Sequence, residues 1–217
     1  MNARLFLALV ISAVVLLGVL VVLTFATPAT ETVEQGVLSP GTRYKGAARD
    51  GGAVPPASPA IRLRDQNGRV RTLEEFRGRP VIVTFLFTTC EDTCPAMARQ
   101  VSQALQTAKT PVEALAVSVD PDNDTPESAQ RFLNKMDLRG RASYLLGSRR
   151  QLAPIWKAYG IQAQGAAFDH SAYVLVLDRQ GRQRVAWPAD KLTSDGLAHD
   201  VDVVASLPAD RPTTKER

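Results

Sequence analysis

The stretch FTTCEDTCPAM, Phe87 to Met97, holds both cysteines of the chain, Cys90 and Cys94, with three residues between them and a proline behind the second. Such a pair can close a structural disulfide, exchange electrons with another thiol, or supply two ligands to a metal ion. A stapling disulfide across so short a loop would add little stability, because the stabilisation grows with the length of chain that the bond closes. Redox pairs usually have two intervening residues. Three allow the sulfurs either to bond to each other or to spread around an ion. Two thiolates are soft donors suited to Cu(I) or zinc, and they call for a third ligand.

Two histidines are available. His199 falls in a helical pattern among Leu197, Val201 and Val203 and reads as a surface or half-buried helix residue. His170 ends the loop GAAFDH just before the apolar run AYVLVLD, where parallel-sheet topology could carry it towards the cysteines. On position alone a structural histidine fits His170 equally well. Asp120, Asp122 and Asp124 invite a hard-metal reading, but they surround a turn and Thr125-Pro126 opens a helix, so turn and capping chemistry accounts for them. Trp156 and Trp187 read as packing residues.

The elements that must position these side chains alternate short apolar runs with helical patterns, which predicts an α/β fold with a largely parallel sheet. IRLRDQNGRVRT reads as a hairpin turning at Asn67-Gly68, and VIVTFLF, Val81 to Phe87, as a strand buried on both faces. A helix is expected from near Pro95, then a strand over Ala114–Val119, then a helix capped by Thr125 with Pro126 in its first turn. Ser148 and Gly160 bound a further helix with Pro154 in or near its first turns. AYVLVLD and RQRVAW read as strands joined at Arg179 to Gly181, and a last helix is expected with Ser194 as its N-cap. The expected order is hairpin, strand, helix, strand, helix, helix, strand, strand, helix. Cysteines between a strand end and a helix start stand where α/β folds collect ligands and where the helix dipole favours a thiolate, although Glu91 and Asp92 oppose that effect.

Ahead of this domain, Leu5 to Ala26 carries no charge and is broken only by Ser12, Gly18 and Thr24. As a helix it would span roughly 33 Å, enough for a hydrocarbon core of about 30 Å. A signal peptide has a shorter apolar region and a small-x-small cleavage site, and FATPAT is a poor one, so an uncleaved anchor is the expectation. Arg4 before the run and Glu31 and Glu34 after it place the N-terminus in the cytoplasm. No cysteine closes the run, which sets aside a lipoprotein anchor, and no Arg- and Ser-rich presequence precedes it. The expectation is a single-pass protein of a bacterial inner membrane with its globular domain in the periplasm, where thiols oxidise unless reduced or bound to metal. The expected organisation is a cytoplasmic tip and transmembrane anchor over 1–26, a flexible periplasmic linker over 27–59, a folded domain over 60–207 and a polar tail over 208–217. The 26 basic and 22 acidic residues give a net charge of +4 and are scattered, which gives nucleic-acid binding no support.

Four segments, FLFTTCEDTCPAM, LAVSVDPDNDTPESAQRF, YLLGSRRQLAPIWKAYGI and FDHSAYVLVLDRQGR, resemble in content and order the motifs of the Sco/SenC family, over about Ile61 to Leu207. The resemblance implies a thioredoxin-like α/β fold, a central mixed sheet flanked by helices, on one N-terminal transmembrane helix. It further implies copper binding through Cys90, Cys94 and His170, and a role in assembling the Cu-A centre of cytochrome c oxidase. The partners it implies are the Cu-A subunit and other periplasmic copper or thiol-redox proteins. Glu91 departs from the proline common after the first cysteine, and YLLG departs from a Trp-Leu-Thr-Gly type sequence; neither is a ligand position. The main expectation is a copper chaperone. A thiol-disulfide oxidoreductase that reduces an acceptor's cysteines would need Cys90 and Cys94 as catalytic residues without the histidine, and a redox or copper sensor is a weaker third reading. Peroxidase chemistry is remote, because no separate peroxidatic cysteine is available.

Overall fold

The computed structural model describes residue 2 and residues 43–49, 58, 60–161 and 172–208. The apolar segment Leu5–Ala26, the loop ending at His170 and the tail from position 209 lie outside these residues. Among the described residues no helix is long and apolar enough to cross a membrane.

The strands are β1 (Ala47–Ala48), β2 (Arg62–Asp65), β3 (Val70–Thr72), β4 (Val81–Leu86), β5 (Glu113–Ser118), β6 (Ala142–Leu146), β7 (Tyr173–Leu177) and β8 (Gln183–Pro188). They form one sheet in the order β1-β8-β7-β4-β5-β6-β2-β3. The helices are α1 (Thr93–Thr107), α2 (Pro126–Lys135), α3 (Arg149–Tyr159) and α4 (Ser194–Ser206). All six residues of β4 are buried, as the unbroken apolar run predicts for a central strand. Ile82 and Leu86 face a core shared with Met97 and Val101 of α1, Phe132 of α2 and Val201 of α4. Val81, Val83 and Phe85 face a second core with Leu152, Ile155 and Trp156 of α3. Side chains alternate across a strand, so one apolar segment serves both layers.

The sheet is mixed rather than largely parallel. Among the described residues only the β4–β5 and β5–β6 pairs are parallel, whereas β7 runs antiparallel to β4, with Thr84 opposite Val174 and Val81 opposite Leu177. Alternation of strands and helices signals crossovers, but it cannot show that β7 joins the opposite side of β4 from β5 and in reverse. A strand was also missed between the second and third helices. β6 begins Ala-Ser-Tyr and lies between Gly140 and Gly147, too short to stand out, yet it pairs with β5 through Tyr144 and Leu145.

A second difference lies in the segment read as a linker. Tyr44 and Ala47 are buried, and β1 pairs with β8 through Ala47 opposite Ala186. The carboxylate of Asp200, itself fully buried, accepts the Lys45 and Gly46 amides at 2.7 and 2.8 Å and the Trp187 indole N–H at 3.1 Å. Gly46 is required by this approach, since a Cβ there would stand 2.6 Å from the indole nitrogen. The segment expected as a linker over 27–59 therefore includes a glycine that fits the chain against a tryptophan.

Helix ends follow their sequence signals closely. Thr125 caps α2 by accepting from the Ser128 amide, and Gly160 ends α3 at φ +68°. Pro154 lies inside α3, and the cap of α4 is Thr193, one residue before the expected Ser194. The hairpin turns at Asn67-Gly68, where the buried Asp65 carboxylate accepts the Asn67 and Arg69 amides. The Arg179–Gly181 turn repeats this device with Asp178, which accepts the Gln180 and Arg182 amides.

Candidate metal and thiol site

Beyond Leu86 the chain turns at Phe87, whose carbonyl accepts the Cys90 amide at 3.4 Å, and α1 starts at Thr93. The first amides of a helix have no partner within it, and Asp92 at the N-cap makes no side-chain cap bond. Instead the Cys94 amide points at the Cys90 sulfur, 3.2 Å away. Cys90 Sγ thus sits at the positive end of the α1 dipole, the position at which helices hold anions. Cys90 is partly exposed and Cys94 is buried among Met97 and Ala98, and both are free thiols. The loop entering α1 therefore carries the more exposed cysteine and the first turn of the helix the sheltered one.

The loop ahead of Cys90 is fixed by a carboxylate. Asp124, buried before α2, accepts both the amide and the hydroxyl of Thr88 on Oδ1 at 2.7 Å each. Its Oδ2 accepts the Ser118 hydroxyl at 2.5 Å and the Tyr144 phenol at 3.0 Å. One side chain thus ties the cysteine loop to the end of β5, the middle of β6 and the start of α2. Sequence reasoning assigned Asp124 to turn chemistry and gave Thr88 and Tyr144 no role. The signal was present as a hydroxyl-rich strand exit on each side, Thr88-Thr89 and Ser118, but the spatial meeting is non-local. Asp120 does serve the turn, accepting from the Asn123 side chain at 2.9 Å, and Asp122 makes an exposed pair with Arg149 at 2.8 Å.

Burial pushes the Cys94 thiol well up from its ordinary value, the Phe87 backbone contact pulls part of the way back, and Cys90 and the Asp124 charge push it further up. The same burial, reinforced by the Asp124 charge, raises the Tyr144 phenol well above 10.0, which keeps it a donor to that carboxylate. A soft metal entering the site must displace the Cys94 proton, so uptake releases protons.

Among the described residues no group of three or more His, Cys, Asp or Glu side chains could hold a metal ion, so the two sulfurs have no third partner there. His170 lies outside the described residues. His199 is an exposed helix residue, as expected, with Nδ1 3.0 Å from Asp200 Oδ1. Trp156 and Trp187 are buried packing residues, and the Trp156 indole donates to the Ser118 carbonyl at 2.9 Å.

The SCO1/SenC family profile matches residues 54–206. The chain belongs to the SCO1/SenC family. Among relatives of this family, the bovine mitochondrial protein named SCO2 homolog is 31% identical over 132 residues, which cover 55% of this chain and 49% of the relative. The chain spans about half the length of that relative and of its human counterpart. Copper-bound ScoI of Bradyrhizobium japonicum aligns with a TM-score of 0.58 and 26% identity over 69% of this chain and 99% of that one. BsSco, described as a member of the Sco family of cytochrome c oxidase assembly proteins with a disulfide switch, aligns at 0.63 and 22% over 71% and 96%. The mixed sheet flanked by helices is thus the thioredoxin-like fold of the Sco structures, and the cysteine loop lies within the family match.

Two outcomes follow from this geometry. Replacing Asp124 with Ala strands four donors, two of them buried, and should lower the unfolding free energy by about 3 kcal/mol in urea titration, with faster alkylation of the cysteines. Folding also holds the Cys94 proton more tightly than the unfolded chain, whose thiols titrate near 8.5. The associated stability is fully present below that pH and declines as pH rises past it. Reduced wild-type protein should therefore lose stability between about pH 8.5 and 10 relative to Cys94→Ser, measured by denaturant midpoints at each pH.

Proposed function

We propose that this chain carries copper on Cys90, Cys94 and His170 and delivers it to the Cu-A centre of cytochrome c oxidase, acting in the periplasm from a single N-terminal anchor in a bacterial inner membrane. The observation that carries the reading is the antiparallel pairing of β7 with β4. It sets the start of β7 at the sheet end from which the cysteine loop leaves, with Thr84 opposite Val174. Ala172 and Cys90 pack against the same core. Two residues of chain reach at most about 7 Å, which keeps position 170 within that distance of Ala172 along the backbone. The donor set suits the cargo, since two thiolates and an imidazole match soft Cu(I) and accommodate Cu(II) with an added ligand. The relation to copper-bound ScoI agrees with this assignment.

A second reading has its own support. The Cys94 amide lies 3.2 Å from the Cys90 sulfur, so the two cysteines are close, and BsSco is described as having a disulfide switch. In this reading Cys90 attacks an acceptor's disulfide, one acceptor thiol leaves, and Cys94 then resolves the mixed disulfide and frees the second. The acceptor gains two electrons and two protons, and the chain is left with a Cys90–Cys94 bond. That bond would remove the copper ligands, so carriage and reduction alternate on one site.

His170→Ala separates the two. If His170 is a ligand, anaerobic Cu(I) competition on the reduced chain should show an affinity loss of at least the roughly 10 to 100-fold that outer-shell changes cause. Disulfide reduction by the same variant should persist. Unchanged copper affinity would remove His170 from the ligand set and leave the reductase reading.

A further inference from the structure

A groove of about 360 Å³ opens beside Cys90, lined on its apolar part by Pro95, Phe132 and Met136. Arg131 and Lys135, one turn apart on α2, line it as well. Both are exposed, and neither has an ion pair or side-chain hydrogen bond among the described residues. Several other arginines of the domain are engaged: Arg71 and Arg79 with Glu113, Arg141 with Asp137, Arg149 with Asp122. The groove therefore sets two uncommitted cations on the rim of an apolar surface that reaches the accessible sulfur. Glu91 and Asp92 are exposed on the α1 side of Cys90 and do not line the groove. An acidic chain is thus attracted to the α2 side and repelled from the α1 side, which fixes its direction of approach.

We infer that this groove docks an acidic, cysteine-bearing segment of the acceptor protein, with Arg131 and Lys135 holding its carboxylates while its thiol faces Cys90. The inference rests on the proposed function and names the chemistry of the acceptor. The same two cations attract the incoming thiolate. In the transfer step that thiolate forms one bond to copper as one sulfur of the chain releases it. The copper keeps its charge, and the released cysteine takes up the proton that the incoming thiol gave up.

The test uses the full chain and three probes: a fluorescent peptide with one cysteine flanked by glutamates, the same peptide flanked by lysines, and glutathione. Anisotropy on the reduced chain reads docking, and stopped-flow withdrawal of Cu(I) from the loaded chain reads transfer. At low salt the acidic peptide should bind and withdraw copper about 10-fold better than the basic one, and the preference should collapse near 0.5 M salt, where charges are screened beyond about 4 Å. The double variant R131E/K135E should invert the order. Equal responses to both peptides, or glutathione matching the acidic peptide without sensitivity to the charge reversal, would overturn the inference. Copper uptake by the wild-type chain, measured alongside, tests the underlying function separately, because anisotropy on the copper-free chain still decides whether the groove docks the peptide.

Discussion

The site depends on β4 being shared between a parallel neighbour on one side and an antiparallel one on the other. The parallel pairing with β5 demands a crossover helix, and that helix is α1, with Cys90 in the loop before it and Cys94 in its first turn. The antiparallel pairing brings the start of β7 back to the same end of the sheet. A wholly parallel arrangement would have put the start of β7 at the opposite end, a strand length of roughly 17 to 20 Å away. Sheet direction thus decides which distant residues can share a site.

Within that frame, Asp124 sets the position of the cysteine loop. A buried carboxylate is costly unless its oxygens are satisfied, and here one oxygen accepts the amide and hydroxyl of Thr88 and the other the hydroxyls of Ser118 and Tyr144. The loop ahead of Cys90 is held from below, while the sulfur above it remains partly exposed. Fixing the approach and leaving Cys90 partly exposed suits the proposed carrier role, because ligand exchange needs an open side and a constant geometry on the other. Asp200 does the equivalent work at the far edge, where its oxygens collect amides from residues 45 and 46 and hold the chain before the domain against β8.

Much of the arrangement was legible in the residues. The unbroken Val81–Phe87 run announced a strand with two buried faces, Thr125-Pro126 announced a helix start, and the cysteines fall between the end of that strand and the first turn of a helix, as expected. What stayed hidden was non-local. Strand direction has no local code, so β7 could be placed in the sheet but not oriented. β6 is short and opens with small and polar residues, so its strand character comes from pairing with β5 rather than from its own pattern. The role of Asp124 was masked because its neighbours genuinely do turn and capping work. Lys45 and Gly46 lie in the stretch expected as a linker, while their positions depend on Trp187 and Asp200, far along the chain.

The central claim is that one imidazole joins two sulfurs around copper. X-ray absorption on the reduced, Cu(I)-loaded full chain tests it most directly. The account predicts a copper shell of two sulfur scatterers and one nitrogen with the outer-shell pattern of an imidazole, the latter disappearing in the His170→Ala protein. A shell of sulfur alone, or an imidazole signal that survives the substitution, would contradict it.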